Sequence, residues 1–499
     1  MPNKYSFGID QIPIFLIKYI AFSIKEPLAT IINNCFVPGT FPDLLKKAKV
    51  IPVFKKGDRH SANNYRPVSI LPAVSKIFER ATYVRLMNFL NAHNILSNEQ
   101  FGFRPSKSTE KAIFHTLSYV IERIDQNDKV AGLYFDLSKA FDTIDHKLLL
   151  LKLNRYGIRG TVADLFKSYL SDRTQNVCIT SNGVSHYGPE IRIGQGVPQG
   201  SILGPVLFLL YANDLPDFVD GRVCPYADDT SVILAHDSVR ALSGACSGAA
   251  GQMSDWCERN SLRLNAGKTG LLFFEIRKQN ISLHVRLDNK SVPEMNSIKF
   301  LGVHLDATLS WDRHIDSLLS RLGSACALIR RLRYCVFLDS LISYYFSNIQ
   351  SIINYGISFW GASGDAIKVF RAQKRIIRCL LHLHPRTSCK PHFSKLHILT
   401  VPSLYFLALV TFVKGNYNLF SANRDFYSEN MSIETRGRAD LRIPQHSTTF
   451  FKKGTYYKGI KAFQSLPEEI KNIENTFKFK KAVIKYLEIR CFYSFTFEF

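Results

Sequence analysis

Tyr226-Ala227-Asp228-Asp229 sets two adjacent carboxylates among apolar neighbours, with Val223-Cys224 upstream and Val232-Ile233-Leu234 downstream. Short buried runs on either side of an acidic centre read as two strands joined by a tight turn, a hairpin with charge at its tip. Two like charges that close do not both stay ionised in a partly buried place without a cation, and a divalent metal is the simplest one. Asp is also a common turn residue, so the pair alone is what a solvated turn contains as well. A second stretch changes the balance. Ala131 to Phe135 form another buried strand, and Asp136 falls at its end, where a side chain reaches a neighbouring strand tip. Three hard-oxygen carboxylates suit two Mg²⁺ ions, which about 3.5–4 Å apart clamp the attacking and leaving oxygens of a phosphoryl transfer. The chemistry implied is nucleotidyl transfer.

In this order the motifs resemble those of reverse transcriptases from non-LTR retrotransposons, the jockey-like and CR1-like mobile elements. Matching blocks run from Phe41-Pro42 to Leu301-Gly302, and weaker family-like patterns continue almost to the C-terminus. The resemblance implies an α+β right-hand polymerase, with fingers, a palm built on an antiparallel sheet and a thumb, plus a helical C-terminal extension. It divides the chain into an N-terminal helical segment (1–35), fingers and palm (36–306), a thumb-like region (307–400) and an extension of unknown role (401–499). It implies that Asp136, Asp228 and Asp229 hold two Mg²⁺ ions, with Mn²⁺ as a substitute. The implied partners are an RNA template, a DNA primer or target DNA, and deoxynucleoside triphosphates. Jockey-like elements usually carry an upstream endonuclease domain; here the polymerase motifs begin close to residue 36, as in a truncated copy or fragment.

Residues 1–35 place Ile14, Ile17, Ile20, Ile24, Leu28 and Ile31 at helical spacing, which predicts helices packed on the core. Lys18 and Lys25-Glu26-Pro27 interrupt the apolar start, so it reads as neither a signal peptide nor a membrane span. Lys55, Lys56 and Arg66 flank a strand pair and suit a triphosphate, Arg by its planar fork and Lys as a point charge; the resemblance assigns them to the incoming nucleotide. Asn98 to Pro105 is similar to the family's template-contacting segment, with Arg104 facing a phosphate. Phe141, five residues after Asp136, stands where reverse transcriptases keep an aromatic ring under the sugar, which excludes a 2′-hydroxyl. Asp142 reads as structural and Asp145 as a helix N-cap. Gly194 to Ser201, a glycine-rich loop, resembles the family's next block, which implies Gln199 near nucleotide or template and Gly200 near template or primer; Ser201 reads as the cap of an apolar helix through Leu215. Lys268 matches the family lysine near the leaving pyrophosphate. Leu301-Gly302 resembles the primer-gripping turn.

Beyond 306, Ile315, Leu318, Leu322, Ala325, Ile329 and Leu332 share a helix face, while Arg313, Arg321, Arg330, Arg331 and Arg333 lie around the rest. Lys368, Arg371, Arg375 and Arg378 make a basic stripe, which reads either as a phosphate track or as a solvated face. Cys379, His382, His384, Cys389, His392 and His397 cluster in sequence, but their spacing matches no standard structural zinc pattern. No RNase H constellation of carboxylates is seen.

Composition agrees with a nucleic-acid enzyme. Among 499 residues, 64 Lys and Arg face 41 Asp and Glu, a net charge of +23, the footprint of a protein that holds polyphosphate. The 10 cysteines lack framework spacing and suit a reducing intracellular compartment, nucleus or cytoplasm, rather than secretion. Two other readings compete. An RNA-dependent RNA polymerase is disfavoured by Phe141 and by the Tyr-Ala-Asp-Asp turn; a catalytically silent nucleic-acid-binding remnant is disfavoured by the retention of all three carboxylates.

Overall fold

The strand ending in Asp136 is central to the computed structural model, which describes residues 5–105, 107–265, 267–275, 282–287, 290–420 and 441–495. The strands that carry the argument are β1 (Lys47–Phe54), β2 (Tyr65–Ile70), β3 (Lys129–Asp136), β4 (Arg173–Ser181), β5 (Val184–Tyr187), β6 (Ile191–Ile193), β7 (Arg222–Tyr226), β8 (Asp229–His236) and β9 (Gly270–Phe274). One sheet has the order β7-β8-β3-β9, with its neighbours antiparallel. In β3 every residue from 130 to 135 is buried, as expected of an interior strand covered on both faces. Alternation assigns the faces: Val130 and Tyr134 join the apolar cluster that contains helix Thr109–Asp125, while Ala131, Leu133 and Phe135 join the one that contains helix Val239–Arg259. The predicted hairpin and partner strand are therefore both present, in one antiparallel sheet.

A second sheet has the order β2-β1-β4-β5, with β6 also paired to β4; β1 and β4 run parallel, and the other pairs are antiparallel. Two short hairpins follow, β10 (Arg286–Leu287) with β11 (Lys290–Ser291), and β12 (Ser297–Phe300) with β13 (Val303–Asp306). The rest is helical. Helix Asp312–Leu332 buries Ile315, Leu318, Leu322, Ala325 and Ile329, the face read from the sequence. That face belongs to one apolar cluster running from helix Thr109–Asp125 and the sheet through helix Val401–Gly415 to Leu487, so the helices described in 307–420 and 441–495 share a core with the sheet.

The N-terminal periodicity is only partly realised. The helix breaks at Ile20 into Ile14–Tyr19 and Ala21–Phe36, so the register shifts, and Ile32 rather than Ile31 is buried. Ile20 and Ile31 are exposed. All ten cysteines are free thiols, and among the described residues no helix is long and apolar enough to cross a membrane.

Candidate active site

Antiparallel pairing places Asp136 directly opposite Asp229, so their side chains leave the same face of the sheet from backbones about 5 Å apart. Tyr226 pairs with Asp229, which leaves Ala227-Asp228 as a two-residue turn. Ala227 has φ 57°, a left-handed conformation usually given to Gly or Asn. The carboxyl of Asp229 is pushed up to about 6, first by burial, then by the charges of Asp228 and Asp136; Lys268 and Lys55 oppose the shift. Two acids and two lysines therefore bear on Asp229.

The segment after Ser261 builds the other wall. Leu264 bridges to Leu137, the Asn265 N–H donates to the Asp136 carbonyl at 2.8 Å, and the Asn265 amide reaches Asp136 Oδ2 at 3.3 Å. Lys268 Nζ lies 2.5 Å from that same oxygen. Lys268 is thus a counter-ion to Asp136. Asn265 was not apparent from sequence; its only signal is a place three residues before Lys268 in a polar turn.

Among the described residues no three His, Cys, Asp or Glu side chains converge, as they stand, on a point that holds a metal ion. The donor set still suits a hard divalent cation. Asp136 and Asp229 leave one end of the sheet with Asp228 in the adjoining turn, and three hard-oxygen carboxylates in one place are the donors such an ion takes.

Phe141 lies on the turn after Asp136, packed on Phe208 at 4.9 Å between ring centroids. The glycine-rich loop wraps this turn: the Val197 N–H donates to the Phe141 carbonyl and the Gly196 N–H to the Ile144 carbonyl, both at 2.8 Å. The Gln199 amide donates to Asp142 Oδ1 at 2.9 Å, so it ties the glycine-rich loop to the turn after Asp136. Gly200, at φ 128°, lies where a Cβ would meet the Ser69 carbonyl at 2.5 Å, and Ser69 N–H donates to the Gln199 carbonyl at 2.8 Å; the loop is thereby docked on β2. Ser201 is not itself the residue before the helix, which starts at Leu203, but its Oγ accepts the Gly204 N–H at 2.9 Å. The apolar helix stops at Tyr211, short of Leu215. At Gly196 φ is 80° and a Cβ would stand 2.6 Å from the Asp142 carbonyl. Gly196→Ala is expected to destabilise the chain by about 2 kcal/mol, through a left-handed backbone and a backbone clash that cannot rotate away, as a denaturant midpoint will report.

Lys55, Lys56 and Arg66 are exposed on the β1–β2 hairpin, and of these Lys55 is the one whose charge is felt at Asp229. Arg104 is turned inward: its guanidinium donates to the Ser97 carbonyl at 2.5 Å, and burial lowers its pKa. Leu301-Gly302 form the two-residue turn between β12 and β13, with φ 45° and 88°. The Tyr355 hydroxyl donates to the Leu301 carbonyl, a tie invisible in sequence. Of the basic stripe, Lys368 pairs with Asp365 and Arg378 Nε donates to the Thr387 carbonyl, while Arg371 and Arg375 stay exposed. Glu79, also missed, is a buried carboxylate that accepts the Ile202 N–H at 2.6 Å beside the glycine-rich loop.

The family described as reverse transcriptase (RNA-dependent DNA polymerase) matches residues 53–305, from β1 through β13. The RNA-directed DNA polymerase from mobile element jockey of Drosophila melanogaster is 29% identical over 379 residues, covering 73% of this chain and 41% of that protein. The probable RNA-directed DNA polymerase from transposon X-element of the same organism is 28% identical over 352 residues, covering 68% and 38%. This chain therefore spans about two fifths of the length of these relatives. Among solved structures, apo telomerase from Candida tropicalis aligns over 93% of this chain and 74% of that one, at 13% identity and a TM-score of 0.42. With its carboxylates at adjacent strand ends inside the matched span, the chain belongs to the reverse transcriptase family, with that family's α+β right-hand fold.

Proposed function

We propose that this chain is the RNA-directed DNA polymerase of a jockey-like non-LTR retrotransposon, extending a DNA primer on an RNA template with deoxynucleoside triphosphates. The observation that carries it is the opposition of Asp136 and Asp229 across β3 and β8, with Asp228 in the adjoining turn. Residues 36–306 serve as fingers and palm, 307–400 as thumb, 1–35 as an N-terminal helical segment and 401–499 as a C-terminal extension of unknown role. Two Mg²⁺ ions held by Asp136, Asp228 and Asp229 would activate the primer 3′-hydroxyl and neutralise the departing pyrophosphate.

The chain's own groups do the rest. Lys55, Lys56 and Arg66 present exposed cations to the triphosphate, and a point-charge pair beside a planar fork holds it without fixing the base. Lys268 holds Asp136 in place until the nucleotide arrives, then meets the charge that develops on the leaving phosphate. Phe141, backed by Phe208, closes the floor beneath the sugar. Gln199 and Gly200 fix that floor through Asp142 and β2, and Leu301-Gly302 meet the primer. Arg104 stiffens the segment beside the template from its inward bond to Ser97. The free thiols suit a reducing interior, nucleus or cytoplasm.

The test is single-nucleotide extension with dTTP and with UTP. Wild type is expected to favour dTTP, and Phe141→Ala to lower that preference by about 10²-fold, since the ring acts by excluding one hydroxyl. Equal use of UTP by wild type would point instead to an RNA polymerase. Template binding with no extension would point to a silent remnant.

A further inference from the structure

The turn Gln100–Arg104 is fastened to the catalytic hairpin. The Phe101 N–H donates to the Pro225 carbonyl at 3.1 Å. A Cβ on Gly102 would stand 2.6 Å from the Ala227 nitrogen, so only Gly lets the two turns meet. The Gln100 side chain accepts the Gly102 N–H at 3.1 Å, and Arg104 closes the far side on the Ser97 carbonyl at 2.5 Å. Between these anchors Phe103 has φ 54°, a conformation that a bulky aromatic rarely holds. The residue is 46% exposed, so burial does not hold it there. What it does touch is Phe141: the two rings meet edge to face, centroids 5.9 Å apart and planes at 83°. Phe141 thus contacts two rings, buried Phe208 and half-exposed Phe103.

We propose that Phe103 is a positioning residue for sugar selection, acting through Phe141. This rests on the polymerase reading above. A ring that discriminates one hydroxyl must resist being pushed aside, and a ring packed on one face only can tilt away. Phe103 blocks that tilt. Because the same turn abuts Ala227, the ring is also set at a fixed place relative to Asp228, so the gate and the catalytic carboxylates keep one geometry.

The experiment measures kcat/KM for dTTP and UTP on an RNA template with the full chain. Variants are Phe103→Ala, Phe103→Leu, Phe103→Tyr, Phe141→Ala and the double variant Phe103→Ala/Phe141→Ala. Phe103→Ala is expected to lower the dTTP-over-UTP ratio about tenfold, Phe103→Leu less, and Phe103→Tyr scarcely at all, since it restores the ring edge. In the double variant the ratio should equal that of Phe141→Ala alone, because Phe103 has no other route to the sugar. A Phe103→Ala chain that loses rate with both nucleotides at an unchanged ratio would overturn the inference. So would a double variant whose losses multiply. If Phe103→Ala fails to fold, Phe103→Leu against Phe103→Tyr decides by the same ratio. A wild type that extends with neither nucleotide overturns the polymerase reading itself, and the inference with it.

Discussion

Asp229→Asn is expected to lower primer extension by about 10³-fold or more while leaving the folded chain no less stable than wild type above about pH 6. The two effects share one cause. Asp229 stands opposite Asp136 and beside Asp228, and its carboxyl is pushed up to about 6 by burial and by those two charges. Asn keeps the shape and removes the charge, so metal chemistry fails and a repulsion ends. The pH dependence follows from the sign of the shift. The folded chain binds this proton more tightly than the unfolded chain does, so the contribution of Asp229 falls as pH rises from 3.8 through about 6 and is unfavourable above that. Wild type should lose stability relative to the variant between about pH 4 and about pH 7, measured by thermal unfolding. Adding Mg²⁺ at neutral pH should raise the wild-type Tm and not that of the variant, because a ligand stabilises only the state that binds it. An equal rise in both would remove Asp229 from the metal site.

The largest loss of stability is expected at Glu79. Its side chain is fully buried, Oε1 accepts the Tyr169 hydroxyl at 3.0 Å, and Oε2 accepts the Ile202 N–H at 2.6 Å. Arg173, 1% exposed, donates to the Tyr169 carbonyl at 3.0 Å and attracts Glu79 electrostatically. Burial pushes the Glu79 carboxyl up, and the Ile202 N–H and Arg173 act against that push. Glu79→Ala strands a buried guanidinium and frees the start of helix Leu203–Tyr211, a change that costs about 3–5 kcal/mol. Glu79→Gln retains an acceptor for Ile202 and should lose less. Urea midpoints will show it; a Glu79→Ala loss within about 0.5 kcal/mol, typical of surface positions, would contradict the assignment.

What was legible in the sequence is what local pattern controls. Adjacent aspartates between apolar runs mark the hairpin, and a third at the end of an apolar run marks its partner strand, since a two-residue period leaves little choice of register. Asp145 reads as an N-cap for the same local reason, and its Oδ1 does accept the Leu148 N–H at 2.8 Å. The illegible features depend on distant partners. Lys268 meets Asp136 from 132 residues away, and Glu79 meets Ile202 from 123. Nothing local marks Phe103 as the residue that reaches Phe141, or Tyr355 as the one that reaches Leu301. The break at Ile20 has no mark in the sequence because an apolar spacing persists through it, while the backbone leaves the helix there at ψ 7°.

The most direct measurement is primer extension on poly(rA)/oligo(dT) with dTTP and Mg²⁺, comparing wild type with Asp228→Asn. Extension by wild type that disappears in Asp228→Asn is the expected result. Extension that survives the substitution would contradict the catalytic role of the hairpin, and a wild type that binds the template without extending it would contradict the polymerase reading.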